Sequence, residues 1–164
     1  MQRRLKNRLT YLWTFELANA LLIFPGAYYS ISLNYRLGWF SLVSLGVVCA
    51  ILIVGAAFWF LKRRALGGAD TLSRPSVWQF FRACKIGFGV VLVVLLVLFG
   101  IRVFGQGTGS HADLALGIAL MLLAALEYIN YYFVQLSYDN RADLRYLFEH
   151  RRLKRAVMVR ELKI

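Results

Sequence analysis

Two acidic residues stand inside apolar stretches of the chain, and each is followed three residues later by an asparagine. Glu16 precedes Asn19, and Glu127 precedes Asn130. Residues three apart lie on one face of a helix, so each pair presents a carboxyl group beside a carboxamide. Because ionisable groups are costly in hydrocarbon, they usually face a polar partner or mark a functional site. These four side chains are therefore the first candidates for chemistry.

Three kinds of chemistry fit this polar cluster, to which Tyr131 adds a hydroxyl group four residues after Glu127. If the two helices packed antiparallel, Glu16 would lie level with Asn130 and Asn19 level with Glu127, forming a hydrogen-bonded clasp. The two carboxyl groups could instead bind a proton or a cation during transport. As a third alternative, they could act as general acid and base or hold a metal.

The enzymatic alternative lacks supporting residues. Bundle enzymes with two metal ions use Glu-x-x-His pairs, and each motif here has asparagine where histidine would stand. The histidines, His111 and His150, are far apart in the sequence, and no hydrolase triad or nucleotide-binding fingerprint occurs. We therefore predict a protein that is not an enzyme, with no catalytic residue, no metal and no cofactor.

The elements that must position this cluster are predicted to be membrane-spanning helices. Hydrophobic residues make up 60% of the 164-residue chain, above the roughly 45–50% of ordinary globular proteins. They concentrate in four runs, at residues 11–29, 39–61, 86–104 and 114–136, and each approaches the roughly 20 residues that a helix needs to cross a bilayer. Several runs are apolar on every side, which favours helices over the alternating strands of a barrel. The predicted fold is all-α: a four-helix transmembrane bundle over residues 1–136.

The distribution of charge predicts the orientation of the bundle. The net charge is +12, but every Lys and Arg except Arg36 and Arg102 lies before the first run, between the second and third, or after the fourth. The positive-inside rule places these segments, and therefore both termini, in the cytoplasm. The same pattern explains the basic composition, so we predict no nucleic-acid partner. The predicted location is the inner membrane of a bacterium.

Basic residues near the predicted cytoplasmic surface are candidate contacts for lipid or a protein partner. Trp78, Arg82 and Lys85 form an aromatic and cationic stretch before the third span. Residues 137–164 form a basic tail, in which a helix is expected to start near Asn140. Amphipathic basic segments bind anionic headgroups or dock on another subunit. The candidate residues of the tail are Arg151, Arg152, Lys154 and Arg155.

Three functions are compatible with these features. The first is a small accessory, scaffold or assembly subunit of a larger membrane complex, because the chain combines close-packing positions such as Gly46-x-x-x-Ala50 with a basic tail. The alternative is an oligomeric proton- or cation-coupled transporter or channel in which Glu16 and Glu127 titrate. The third is a lipid-binding membrane protein. Expected partners are anionic lipids and either a membrane protein or further copies of the chain.

Overall fold

The described part of the chain is almost entirely helical. The computed structural model describes residues 2–68, 72–104, 110–136, 145 and 153–162. The helices are α1 (Gln2–Ala18), α2 (Phe24–Ser32), α3 (Trp39–Ala65), α4 (Pro75–Phe104), α5 (His111–Tyr132) and α6 (Val157–Leu162), and a π-helical turn, Asn19–Ile23, connects α1 to α2. Among the described residues there is no β-strand, only an isolated antiparallel bridge between Val134 and Arg155. The all-α prediction is confirmed.

Three helices, α3, α4 and α5, are long and apolar enough to cross a membrane. They contain the second and third predicted spans and most of the fourth. The helix that carries the first predicted span differs, because it is divided into α1, the π-helical turn and α2. Its first two turns also carry Arg3, Arg4, Lys6 and Arg8.

The division of the first helix has a local cause. Pro25 has no backbone N–H, and its ring would collide with the carbonyl of Leu21 in a regular α-helix. In the turn just before it, the Phe24 N–H donates to the carbonyl of Asn19, five residues back. This wider hydrogen-bonding pattern defines a π-helix. It places a local widening of the helix three residues after Glu16.

Helix α3 is the central element of the bundle. It packs along α1 and the π-helical turn on one side and along α5 on the other, and it supplies many of the fully buried side chains, including Phe40, Val48, Ile51 and Phe58. Three basic residues occupy its last turn, Lys62–Arg64, where they complement the negative end of the helix dipole. The chain then turns at Gly68, whose φ of +91° favours glycine.

The last two long helices depart from their predicted boundaries. Helix α4 begins at Pro75, a favoured first position, so the predicted interfacial stretch around Trp78 forms its opening turns. Helix α5 ends at Tyr132 rather than near residue 136. The chain leaves the helix because residues 133–135 pair with the C-terminal segment: the Gln135 N–H donates to the Lys154 carbonyl, and the Ala156 N–H donates to the Phe133 carbonyl.

The C-terminal segment returns to the bundle at the end that carries the N-terminus. In α6, Met158 and Leu162 are buried, and α6 packs near the end of α5. We call this end of the bundle the terminal end. The predicted helix start at Asn140 and the candidate contacts Arg151 and Arg152 lie outside the described residues.

Candidate functional site

Glu16 is held between three helices near the terminal end. Its Oε1 atom accepts a 2.9 Å hydrogen bond from the Trp59 indole Nε1 on α3. The Tyr131 hydroxyl on α5 lies beside the same carboxyl group, since both approach the α3 backbone at Gly55. The Oε2 atom is buried and has no hydrogen-bond partner among the described residues. Two of the predicted cluster residues, Glu16 and Tyr131, are therefore brought together, and Trp59 joins them.

A glycine on α3 makes this meeting possible. A Cβ atom built on Gly55 would stand 2.5 Å from the Tyr131 hydroxyl oxygen and 2.7 Å from Glu16 Oε2. Real Cβ atoms essentially never come so close to another atom. The absence of a side chain at this position therefore lets the phenol and the carboxyl group approach the α3 backbone.

The second acidic pair has a more local arrangement. The Asn130 Nδ2 atom lies 3.4 Å from Glu127 Oε2 on the same helix, and Asn130 Oδ1 accepts the backbone N–H of Leu136. Asn19 lies at the first residue of the π-helical turn. The expected pairing of Glu16 with Asn130 is not among the hydrogen bonds of the described residues: Glu16 bonds to Trp59, and Asn130 bonds to Glu127 and Leu136.

Glu16 also lines a cavity at the terminal end, with a volume of about 300 Å³. One part of the lining is apolar and comes from α1, α3 and α6. A second part is polar, and a third carries four basic side chains. The lining residues are Leu5, Leu9, Leu12, Phe58, Val157 and Met158, then Glu16, Trp59, Asn130, Tyr131 and Gln135, and finally Arg8, Lys62, Lys154 and Arg160.

Lys62 connects the C-terminal segment to this cavity. Its Nζ atom lies 3.0 Å from Glu161 Oε1 on α6 and 5.9 Å from the centre of the Trp59 ring. Trp59 in turn binds Glu16. A chain of polar contacts therefore runs from α6 to the buried carboxyl group.

The other basic candidates occupy different surroundings. Arg82 stacks over the Trp78 ring on the exposed side of α4, with its guanidinium carbon 5.1 Å from the ring centre. Lys85 Nζ lies 5.3 Å from the centre of the Phe133 ring, and the Lys85 carbonyl accepts the Tyr128 hydroxyl. Neither residue lines the cavity. In the tail, Lys154 lines it and Arg155 is exposed.

A polar cluster at the opposite end of the bundle was not predicted from the sequence. Asp113 is fully buried. One of its oxygens accepts the backbone N–H of Gly38 at 2.8 Å and of Ser41 at 3.1 Å, together with the Ser41 hydroxyl at 2.6 Å. The other oxygen pairs with Arg102 Nη2 at 3.0 Å. Asp113 thus caps the first turn of α3 from a different helix, where a negative charge is also favoured by the helix dipole.

The sequence did contain one signal for this cluster. Arg102 and Asp113 are oppositely charged. Arg102 lies near the end of the third predicted span and Asp113 just before the fourth, on either side of the glycine-rich residues 105–109. The pairing with Ser41 could not be foreseen, because it depends on how α3 and α5 pack. Both Asp113 oxygens are satisfied by backbone, hydroxyl or guanidinium donors, which is the geometry of a structural support.

Within the described residues no group of three or more His, Cys, Asp or Glu side chains could hold a metal ion. Cys49 and Cys84 are both free thiols. The chain matches no protein-family model, no curated protein and no solved structure.

Proposed function

We propose that this protein is a four-span membrane protein that binds an amphiphile with an anionic group in the cavity at its terminal end. The observation that carries the proposal is the composition of the cavity wall. Leu9, Leu12 and Phe58 offer an apolar surface, and Arg160 and Lys62, which also pairs with Glu161, offer positive charge beside it. A lipid with a charged headgroup has the same two-part chemistry.

The proposed placement in the membrane is supported by the first helix together with the three apolar ones. The helical residues 2–32, including the π-helical turn, extend about 45 Å at 1.5 Å per residue, more than the hydrocarbon thickness of about 30 Å. They pack on α3, which is itself long and apolar enough to cross. Under the positive-inside rule, the terminal end faces the cytoplasm. In a bacterium the corresponding membrane is the inner one.

This orientation supplies a source of ligand. The cytoplasmic leaflet contains anionic lipids, and each Lys or Arg near it adds about 1 kcal/mol of attraction. Long basic side chains also extend along apolar surface with the charge at the polar boundary. The basic residues of the cavity, Arg8, Lys62, Lys154 and Arg160, would therefore meet headgroups at that depth while acyl chain lies against the apolar wall.

Retention of lipid after purification tests the proposal. We expect phospholipid to co-purify in mild non-ionic detergent and to be detected by extraction and mass spectrometry. The triple variant Lys62→Gln, Lys154→Gln, Arg160→Gln should retain less than half as much. Arg64→Gln is the matched control, because Arg64 lies on α3 near Lys62 but is exposed and does not line the cavity. Wild-type protein free of lipid would contradict the proposal.

A second candidate function is proton- or cation-coupled transport, with Glu16 and Glu127 as the titrating groups. The specific observation in its favour is Glu16, which lines the cavity and whose Oε2 atom is buried with no hydrogen-bond partner among the described residues. In vesicles that contain a pH-sensitive dye, an imposed gradient should decay faster with the wild type than with Glu16→Gln or Glu127→Gln. Equal decay in all three would count against transport.

The accessory-subunit function remains a prediction. Helix α4 leaves most of its apolar surface uncovered by the rest of the chain, including Val93, Leu96 and Val97. A membrane-protein partner would cover such a face, and so would lipid. Recovery of a stoichiometric partner after mild detergent extraction would support the accessory role; a stable homo-oligomer would favour transport.

A further inference from the structure

The C-terminal segment forms one wall of the cavity, and this wall is built differently from the others. Four of the lining residues come from residues 154–162: Lys154, Val157, Met158 and Arg160. The others lie on α1, on α3 or at the end of α5. Those helices have 17, 27 and 22 residues, whereas α6 has six. A helix this short is not stable by itself in water, so its contacts with the bundle hold this wall in place.

The contacts that hold the C-terminal segment are of two kinds. Met158 and Leu162 are buried against the bundle. The ion pair between Lys62 and Glu161 lies at the surface, where the two side chains are 19% and 36% exposed. Exposed ion pairs contribute little to stability. The apolar contacts therefore keep the segment in place, and the ion pair adds a small part that a competing charge can remove.

The size of the cavity indicates that a wall has to move when a lipid enters. Its volume of about 300 Å³ is at the lower limit of the roughly 300–1,000 Å³ of pockets for drug-sized ligands, and a phospholipid is larger than such ligands. Lys62 lines this cavity and also pairs with Glu161. An anionic group that binds Lys62 from the cavity therefore competes with the contact that holds α6.

We propose that residues 154–162 form a lid that the amphiphile displaces: its anionic group replaces Glu161 at Lys62, and its chain replaces Met158 in the cavity. This inference rests on the proposed lipid-binding function and adds how access to that site is controlled. Met158 and Glu161 lie three residues apart on α6, so they share one helical face. They present an apolar chain beside a carboxylate, which is the chemistry of the ligand itself. The lid is thus an internal competitor for the site.

Opening of the lid can be measured without any lipid. In a full chain with Cys49 and Cys84 replaced by Ser, Met158→Cys places a buried thiol on the lid. Its rate of reaction with a water-soluble maleimide in detergent reports how often the lid opens. Adding Glu161→Gln should raise this rate two- to fivefold, about the factor that an exposed ion pair contributes. An unchanged rate would show that the ion pair does not hold the lid and would overturn the proposal.

A matched variant separates the ion pair from a general loss of charge. Arg64 lies on the same helix as Lys62 but is exposed and does not line the cavity, so Arg64→Gln should leave the labelling rate unchanged. If Met158→Cys fails to fold, Leu162→Cys, which is also buried on α6, is the second reporter.

A disulfide tests whether the lid must move for lipid to bind. Val134 and Arg155 face each other in the antiparallel bridge, and the two backbone hydrogen bonds of the bridge join their neighbours. Facing residues of this kind have Cα atoms about 4.5 Å apart, within the range that a disulfide spans. With the two native cysteines replaced by Ser, the double variant Val134→Cys, Arg155→Cys can therefore be locked by oxidation.

Calorimetric titration with dihexanoyl phosphatidic acid in a maltoside detergent compares the two states of this variant. The oxidised form should bind the lipid at least fivefold more weakly than the reduced form, because the lid cannot leave the end of α5. Each single cysteine variant is the control, and its affinity should not depend on oxidation. Glu161→Gln in the otherwise unaltered chain should bind the same lipid two- to fivefold more tightly than the wild type, because Lys62 is freed from its internal partner.

The outcomes distinguish the lid from the lipid-binding function. If phosphatidic acid binds the oxidised and reduced forms equally, the lid is wrong and lipid binding stands. Equal affinity of Glu161→Gln and the wild type would likewise show that the lid does not compete with lipid. If phosphatidic acid binds no form of the protein, the proposed function is wrong, and the lid falls with it.

Discussion

The Trp59 indole donates a 2.9 Å hydrogen bond to the Glu16 carboxyl group, and this bond joins the central helix α3 to the first helix. Both residues line the cavity at the terminal end. The bond fixes one carboxyl oxygen, and the other lies buried against the α3 backbone at Gly55. It is therefore at once a packing contact and the support of the candidate ligand site.

Replacing Trp59 with Phe should destabilise the protein. The ring contact with Phe58 is retained, but a buried acceptor on Glu16 loses its donor. We expect a loss of about 1–2 kcal/mol, at the upper end of what interhelical hydrogen bonds contribute in membranes. Thermal denaturation in detergent, followed by circular dichroism, measures it. Trp13→Phe is the control: it removes the same ring volume, but the Trp13 Nε1 atom has no partner among the described residues, so only the packing loss common to both variants should appear.

Replacing Gly55 with Ala should disrupt the same site by overpacking. The new methyl group would meet the Tyr131 ring and Glu16 Oε2, which must move apart. Overpacking of this kind costs about 1–3 kcal/mol, and we expect a corresponding fall in the melting temperature. Gly46→Ala on the same helix is the control, because no atom lies within 4 Å of its added Cβ. Equal stability of the two variants would show that the close approach at Gly55 is absent.

The contrast between these two glycines shows where sequence reasoning stops. Spacing identified Gly46 with Ala50 as a close-packing pair, within the chain or against a partner; Gly46 is exposed in the described chain, so it makes no such contact there. Gly55 occupies the tight contact instead. Helical spacing defines which residues share a face, but not which face turns toward a neighbour. That choice depends on how α1, α3 and α5 pack together, which no local pattern specifies.

The elements themselves were more predictable than their contacts. Apolar runs of sufficient length located α3, α4 and most of α5, because bilayer thickness sets a minimum length that few other sequences meet. A π-helical turn precedes Pro25, a residue type that disturbs a regular α-helix. Trp59 was missed as a partner of Glu16, since an indole in an apolar run looks like an ordinary aromatic side chain.

Replacing Asp113 with Asn should weaken the end of the bundle opposite the cavity. The substitution keeps the size of the side chain but removes the charge that pairs with Arg102 and caps α3. Breaking a buried ion pair by altering one partner costs about 3–5 kcal/mol, so we expect a large loss of thermal stability. Arg36→Gln, at an exposed residue of the same end, should change stability by less than about 0.5 kcal/mol. An Asp113→Asn variant as stable as the wild type would show that the ion pair is not maintained in a membrane.

The position of the first helix in the membrane can be tested with three single cysteines, introduced after Cys49 and Cys84 are replaced by Ser. Lys6 lies at the start of α1, Asn34 lies between α2 and α3, and Arg155 lies in the C-terminal segment; Asn34 and Arg155 are exposed. With four spans, Asn34→Cys should react with a membrane-impermeant maleimide in spheroplasts. Lys6→Cys and Arg155→Cys should react only after permeabilisation. If the first helix does not cross, the cysteines at positions 6 and 34 lie on the same side and label together. Because Asn34 and Lys6 flank a single helix, their relative labelling reports its crossing whichever way the rest of the bundle is oriented.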